Sequence, residues 1–503
     1  MKNLIEITRL VNAFKESHQR AEEKITNSNR FKEIYEGILM GKYQTDEEVI
    51  TDLYNTPSGK KSYQKQKERY RHGITAQLLG YNLSRHFQNN YSNARYQCIS
   101  SFFAANILTM KGKHDAAIEL IQNAAHIADK YFFTDIKIMA LKKQRYMSSI
   151  SADKSKFKLY NNKINESLAL WNSELKAEEY YQELTMYFVW KIRPVEVIER
   201  AEALFVELEN IVNKNKSFNI NLYYYRFMIK YYHLKKQNLK VLKICDEALA
   251  YLESYKAITP VTWFGEFTLE KMETAILMKD YETGLKCAEQ CKEYYSYSYY
   301  NKIVFMEYYF LMCMHTKRYN EASEIYQNVI NKSFTSLASL ASQEKWKIFR
   351  NFLSLLVPEE LNMINNNKIC FDVFNCAKDK AGYNFALIIA KMIKFLSEGK
   401  LDRFESYEES FNIYVKRYIK KEDFPRSYYF CKMIQILYKN SFEKKNVELE
   451  TSKYLQKLKE IKNFEHFEVM PYEDLWQIIL HQIESMRIGK QVDFEILKAG
   501  QSR

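Results

Sequence analysis

Apolar side chains recur at spacings of three and four along most of this chain, the pattern of helices that bury one face. Several segments share one design: a helical stretch, a polar turn, then an amphipathic helix with small or medium apolar residues on its buried side. The clearest run from His114 through Ala117, Ile121 and Ala124, from Tyr281 through Ala288 and Cys291, and from Tyr319 through Ala322, Tyr326 and Val329. Pro194 leading to Val197, Ala201 and Leu204, and Asn238 leading to Val241, Cys245 and Ala248, fit the same design, and Leu401 leading to Phe404 is a fainter copy. The turns in these six segments are separated by 80, 44, 43, 38 and 82 residues. The two long steps are close to twice the short ones, which predicts a unit of about 41 residues and two further hairpins, near Lys154 and near Glu360. A helical hairpin cannot bury its apolar face alone, so neighbouring units must stack. Small residues on the second helix let them approach closely.

This small-residue signature, strongest around Ala117, Ala288 and Ala322, resembles that of the tetratricopeptide-repeat family over roughly residues 90 to 415. The family's unit is 34 residues, and the longer hairpins here resemble those of bacterial peptide-sensing regulators and some eukaryotic scaffolds. The resemblance implies an all-α, right-handed solenoid whose first helices line a concave, partner-holding face. Outside the period, residues 2 to 24 read as one amphipathic helix. Thr45 with Glu48 forms a capping box for a second helix through Tyr54. The run Asn55-Thr56-Pro57-Ser58-Gly59 is the densest turn signal, with a third helix following from near Lys60. Past residue 415 the pattern stays helical but irregular, interrupted at Pro425 and Pro471. Three regions are therefore expected: a basic helical head over 1–90, a repeat array over 91–415 and a helical cap over 416–503.

Composition narrows the picture. With 12 Gly and 6 Pro in 503 residues, few tight turns can be built, which disfavours sandwiches, barrels and βαβ folds. Eight scattered cysteines without a Cys-x-x-Cys pair read as reduced thiols packed as small apolar residues. The early charges Glu6 and Arg9 argue against a signal peptide. The most apolar run, Phe385 to Leu396, is too short to span a bilayer, so a cytoplasmic protein without membrane association is expected.

The chemistry-bearing motifs fall short. Gly37-Ile38-Leu39-Met40-Gly41-Lys42 has three residues between its glycines and Tyr43 after the lysine. A phosphate loop needs four residues there and a Ser or Thr, so a helix ending at Gly41 is the better reading. Cys287, Cys291 and His315 could share a metal only if Cys291 left the buried side of its helix. The nine histidines include no His-x-x-x-His pair. No enzyme, metal or cofactor is expected.

Two features point to binding. The net charge of +13 is concentrated. Residues 59–72 (Lys60, Lys61, Lys65, Lys67, Arg69 and Arg71 against Glu68) carry +5, and residues 137–163 carry +7. Such segments, the first also bearing Tyr63 and Tyr70, suit phosphates or an acidic protein, although a basic helix face can equally be plain solvated surface. The second feature is the 40 tyrosines. Tyr223, Tyr224, Tyr231, Tyr299, Tyr300, Tyr308 and Tyr309 fall on first helices and are the expected partner contacts, since tyrosine supplies rigid area together with a hydroxyl. The expectation is a non-enzymatic scaffold that captures a peptide or protein. Its alternative is a regulator whose basic head touches nucleic acid.

Overall fold

The computed structural model describes residues 1–17, 29–56, 59–80, 89–190, 194–296, 299–331, 340–356, 382–461, 463–465 and 467–485. Among them every regular element is a helix. Contacts divide the chain into two compact units, residues 1–101 and 102–503.

The first unit contains α1 (Lys2–Ser17), α2 (Asn29–Leu39), α3 (Asp46–Leu53) and α4 (Gly59–Gly80). Leu4, Val11, Phe31, Ile34, Ile38 and Val49 form its centre together with Tyr63 and Tyr70. The capping box opens α3 as expected: Glu48 N–H donates to Thr45 Oγ1 at 3.3 Å, and Thr45 N–H donates to Glu48 Oε2 at 3.0 Å. The glycine-bracketed segment is a helix end. Gly41 takes φ +75°, and Lys42 N–H closes back on the Gly37 carbonyl at 2.8 Å. A Cβ at Gly41 would be strained in that left-handed conformation.

The second unit is a series of helices packing on their neighbours. It runs from within α5 (Asn90–Met110) through α6 (His114–Lys130), α7 (Thr134–Ile150), α8 (Lys154–Trp190), α9 (Pro194–Lys214), α10 (Phe218–Leu234), α11 (Asn238–Ser254), α12 (Val261–Leu277) and α13 (Tyr281–Tyr294). It continues through α14 (Tyr299–His315), α15 (Tyr319–Asn331), α16 (Leu340–Leu353), α17 (Tyr383–Ser397), α18 (Leu401–Glu405), α19 (Glu408–Tyr418), α20 (Pro425–Lys439) and α21 (Lys444–Glu460) to α22 (472–485). Consecutive helices from α6 to α13 pack together, and α8 with α10 and α12 with α14 also touch.

One turn recurs. Gly112, Ala152, Lys236, Lys279, Lys317 and Gly399 all adopt positive φ. In each case the next residue's N–H bonds to the carbonyl five positions back, at 2.8 to 2.9 Å. This is the Schellman closure, which satisfies carbonyls left open at a helix end. The turn at Ala152 stands where the spacing places a hidden hairpin; the one expected near Glu360 lies outside the described residues. The same kind of turn appears again at Ser441 and Phe442 between α20 and α21. Upstream of it, Pro425 opens α20, a position where its missing N–H has no cost. The small positions on the second helices, Ala117, Ala124, Ala201, Ala248, Ala288 and Ala322, are all buried.

The exception is α8. At 37 residues it is as long as α6, its turn and α7 together, about 55 Å. Where α6 and α7 are separated by Tyr131, Phe132 and Phe133, α8 runs on through Trp171 and Asn172 with neither Gly nor Pro to stop it. One helix thus serves as partner to α7 at one end and to α9 and α10 at the other.

Candidate binding faces

Side chains about 40 residues apart meet between α10 and α12. Arg226 on α10 grips Glu266 on α12 through two bonds of 2.9 and 2.6 Å. One turn along, Lys230 Nζ donates to Glu270 at 2.7 Å; both pairs are 40 residues apart. His233 Nε2 sits 3.3 Å from the other Glu270 oxygen. Burial works against ionisation of Glu270, but Lys230 and His233 outweigh it and hold the carboxyl well below its usual range. On the next first helices, Lys345 of α16 reaches Glu307 of α14 at 2.9 Å, and Ser342 donates to the same carboxylate. These bonds join helices whose contacting residues are 35 to 40 positions apart in the chain.

Aromatic rings surround the first of these pairs. The Arg226 guanidinium lies 5.6 Å from the ring centres of both Tyr223 and Trp263, and Tyr181 of α8 packs 6.1 Å from Tyr223. Tyr223 and Tyr224 are half-buried, and burial pushes the Tyr224 hydroxyl up to about 12. The other predicted tyrosines are placed differently. Tyr231 stacks on Phe205 at 5.2 Å and is buried. Tyr309 is buried and donates to Glu321. Tyr308 lines a small cavity of about 20 Å³ with His315, Glu273 and Phe464. The side chains of Tyr299 and Tyr300 fall outside the described residues. Of the predicted set, Tyr223 and Tyr224 therefore offer a partly open surface, while Tyr231 and Tyr309 serve the core.

The basic segments also divide. On α4, Lys61, Lys65 and Arg69 are exposed and four apart, so they share one face. Lys60 is exposed too, Arg71 pairs with Glu68 at 2.7 Å, and Lys67 turns inward to Asp46 at 2.8 Å. Tyr63 and Tyr70, expected to accompany these charges, point the other way. Tyr63 donates to Asp46 at 2.5 Å, and the Tyr70 hydroxyl lies 2.8 Å from that of Thr8. Burial and, for Tyr63, the neighbouring Asp46 keep both phenols neutral. The helical period that exposes the lysines necessarily buries these tyrosines. In the second segment Lys137 is tied to Asp129 and Lys156 to Asp153, and Arg145 donates to Asn161 at 2.7 Å. Lys142 and Lys154 are exposed. Met139, Tyr146 and Ile150 stand open beside them.

Sequence reasoning missed a buried charge cluster. Arg426, with no exposed side-chain surface, donates twice to Glu468 (2.9 and 2.7 Å), twice to Glu473 (3.1 and 2.6 Å) and to the Leu458 carbonyl (2.7 Å). Its guanidinium also covers Phe464, 4.7 Å away. Glu465 accepts from Arg426 N–H at 2.9 Å and from the Ser427 hydroxyl. Burial and the nearby Glu468 raise its pKa to about 7. His315 is bonded to the Glu468 carbonyl at 2.7 Å, and burial lowers its pKa to about 4. Phe464 is pinned to α12, its N–H donating to the Leu277 carbonyl at 2.7 Å. These groups are mostly buried and paired with one another, which makes the cluster a clasp that holds Phe464, Glu465, Glu468 and Glu473 onto the helices beneath. Its only advance signal was an arginine beside a proline in an otherwise apolar helix start.

Cys287 and Cys291 are buried, and burial pushes the Cys287 thiol up to about 11, away from the reactive thiolate. Among the described residues no group of His, Cys, Asp or Glu is placed to hold a metal ion, and no helix is long and apolar enough to cross a membrane. Comparison with family models, with curated proteins and with solved structures finds no match to this chain.

Proposed function

We propose that the chain is a non-enzymatic scaffold, a right-handed solenoid of tetratricopeptide-like hairpins whose first helices form a concave face that holds a peptide or protein. The observation that carries this reading is the pairing of Arg226 with Glu266 and Lys230 with Glu270. Residues 40 apart meet side by side, so successive first helices present equivalent positions to one surface. That surface carries half-buried tyrosine and tryptophan beside charged groups, the mixture favoured at the centres of interfaces. To test it, peptides are selected from a random display library against the full chain and their affinities measured by fluorescence anisotropy. Tyr223→Ala with Tyr224→Ala should weaken them at least tenfold while the helical circular dichroism is unchanged. A selection that yields no peptide, or peptides indifferent to both substitutions, removes this face as the site.

A second reading, a regulator that touches nucleic acid through α4, is favoured by the exposed line of Lys61, Lys65 and Arg69. It requires salt-sensitive gel-shift binding of DNA or RNA by the full chain that Lys61→Glu with Lys65→Glu abolishes.

A further inference from the structure

We infer that the open face of α7, with the adjoining edge of α8, is a docking surface for an acidic amphipathic helix of a partner protein. This inference rests on the scaffold reading and names a place and a partner chemistry within it. Met139, Lys142, Lys143, Tyr146 and Ile150 recur at spacings of three and four and therefore share one side of α7. The other side, through Ile136, Ile138, Ala140 and Leu141, is buried. Met139, Tyr146 and Ile150 keep 50%, 53% and 55% of their surfaces exposed. Arg145 donates to Asn161, which sets the antiparallel register of α7 and α8 and brings exposed Phe157, one turn before Asn161, beside the last turn of α7.

The apolar line from Met139 to Ile150 is about 16 Å long, three helical turns. That matches the anchors an amphipathic helix offers at i, i+4, i+7 and i+11. Lys142 and Lys143 lie within this line, and Lys154 is exposed at the turn beyond it. Among the described residues no carboxylate forms an ion pair with any of the three. A helix carrying leucine-type anchors flanked by glutamates would satisfy both features at once. A second copy of this chain would set lysines against lysines. Nucleic acid would satisfy the lysines and leave Met139 and Ile150 against phosphates.

The full chain is titrated with a fluorescein-labelled helical peptide bearing leucines at those spacings and glutamates elsewhere. Three controls accompany it: the same composition with the leucines scattered, a 20-base-pair DNA duplex, and vesicles containing phosphatidylserine. The amphipathic peptide should bind at least tenfold more tightly than the scattered one and weaken as salt rises. Lys142→Glu with Lys143→Glu, and separately Met139→Ser with Ile150→Ser, should each reduce binding at least tenfold with helical content unchanged. Met139, Lys142 and Ile150 are exposed and Lys143 is partly so, and none of them belongs to a buried cluster, so the variants should fold. No preference for the amphipathic peptide, insensitivity to either pair, or tighter binding of DNA or vesicles lost in the Lys variant overturns the inference. Its failure with Tyr223-dependent capture intact removes this surface alone; failure of both removes the scaffold reading.

Discussion

Residues 102–176 and 177–485 of the second unit are built from the same kind of helix and handle their apolar surface in opposite ways. Among the described residues of this unit, most exposed large apolar side chains lie before residue 190, among them Phe103, Ile107, Met110, Met139, Tyr146 and Ile150. From Ala177 onward the buried apolar residues join into two large clusters, one running from Ala177 to Phe267 and one from Met272 to Ile483. The charges differ in the same sense. Lys142 and Lys154 stand in solvent, whereas Arg226, Lys230, Lys345 and Arg426 are paired with glutamates on neighbouring elements. Stacking satisfies the later helices, and the earlier ones leave both apolar and basic surface unanswered. In soluble proteins, open apolar surface rimmed by charge marks an interaction site.

The largest effect should come from breaking the clasp. Arg426→Ala leaves Glu468 buried without its partner and should cost about 3–5 kcal/mol. Hydrogen exchange should then rise in residues 420–485 while residues 102–176 keep their protection; loss of protection throughout would make the two regions one cooperative block. A matched pair of phenylalanines sharpens the contrast. Phe227→Ala, at a fully buried site, should cost about 3–5 kcal/mol. Phe103→Ala, at a position 67% exposed, should stay within about 0.5 kcal/mol by urea denaturation. A large cost at Phe103 would mean that its face is covered in solution.

The later region should also show a pH response of its own, set by two buried groups with opposed shifts. His315, with its pKa lowered to about 4, binds its proton more readily when unfolded, so its contribution to stability falls as pH drops from about 6.5 to 4. Glu465, raised to about 7, binds its proton more readily when folded, so its contribution falls as pH rises from about 4.5 to 7. The two oppose each other across their shared window. Glu465→Gln removes one arm and should stabilise the later region by about 1 kcal/mol at pH 8, leaving stability that rises steadily from pH 4 to 6.5. Unchanged melting profiles at both ends of the range would show that Glu465 is not shifted.

The smallest effect tests whether the hairpin turn is the same device in both regions. Lys236 (φ +54°) and Ala152 (φ +55°) hold the left-handed turn position without being glycine. Substitution by Gly should gain about 0.5–1 kcal/mol at each. A gain at one and a loss at the other would show that neighbouring contacts, not local strain, decide those turns.

Much of the helical framework was legible in advance. Ala117, Ile121 and Ala124, Val241, Cys245 and Ala248, and Ala288 and Cys291 were named as the packed sides of their helices, and all are buried. Thr45 and Glu48 form the expected cap, and a turn stands at Ala152. These features depend on residues a few positions apart, where periodicity and capping chemistry act directly. The candidate sites were legible only in part. Tyrosine frequency could not separate half-buried Tyr223 from buried Tyr231 and Tyr309, because on a helix two or three positions decide which way a ring points. Tyr63 and Tyr70 were paired in expectation with lysines that sit on the opposite side of α4.

The sequence by itself determined that the chain is helical, where several helices begin (near Thr45, Lys60, His114, Pro194, Asn238, Tyr281 and Tyr319), and which small residues face inward, because those properties are set within one or two turns. Only the tertiary structure decided that Arg226 meets Glu266, that Arg426 gathers Glu468 and Glu473, and that Met139, Tyr146 and Ile150 are left uncovered. Each of those outcomes turns on which helices come to lie side by side, often 40 or more residues apart. The spacing along one helix carries no record of its neighbour.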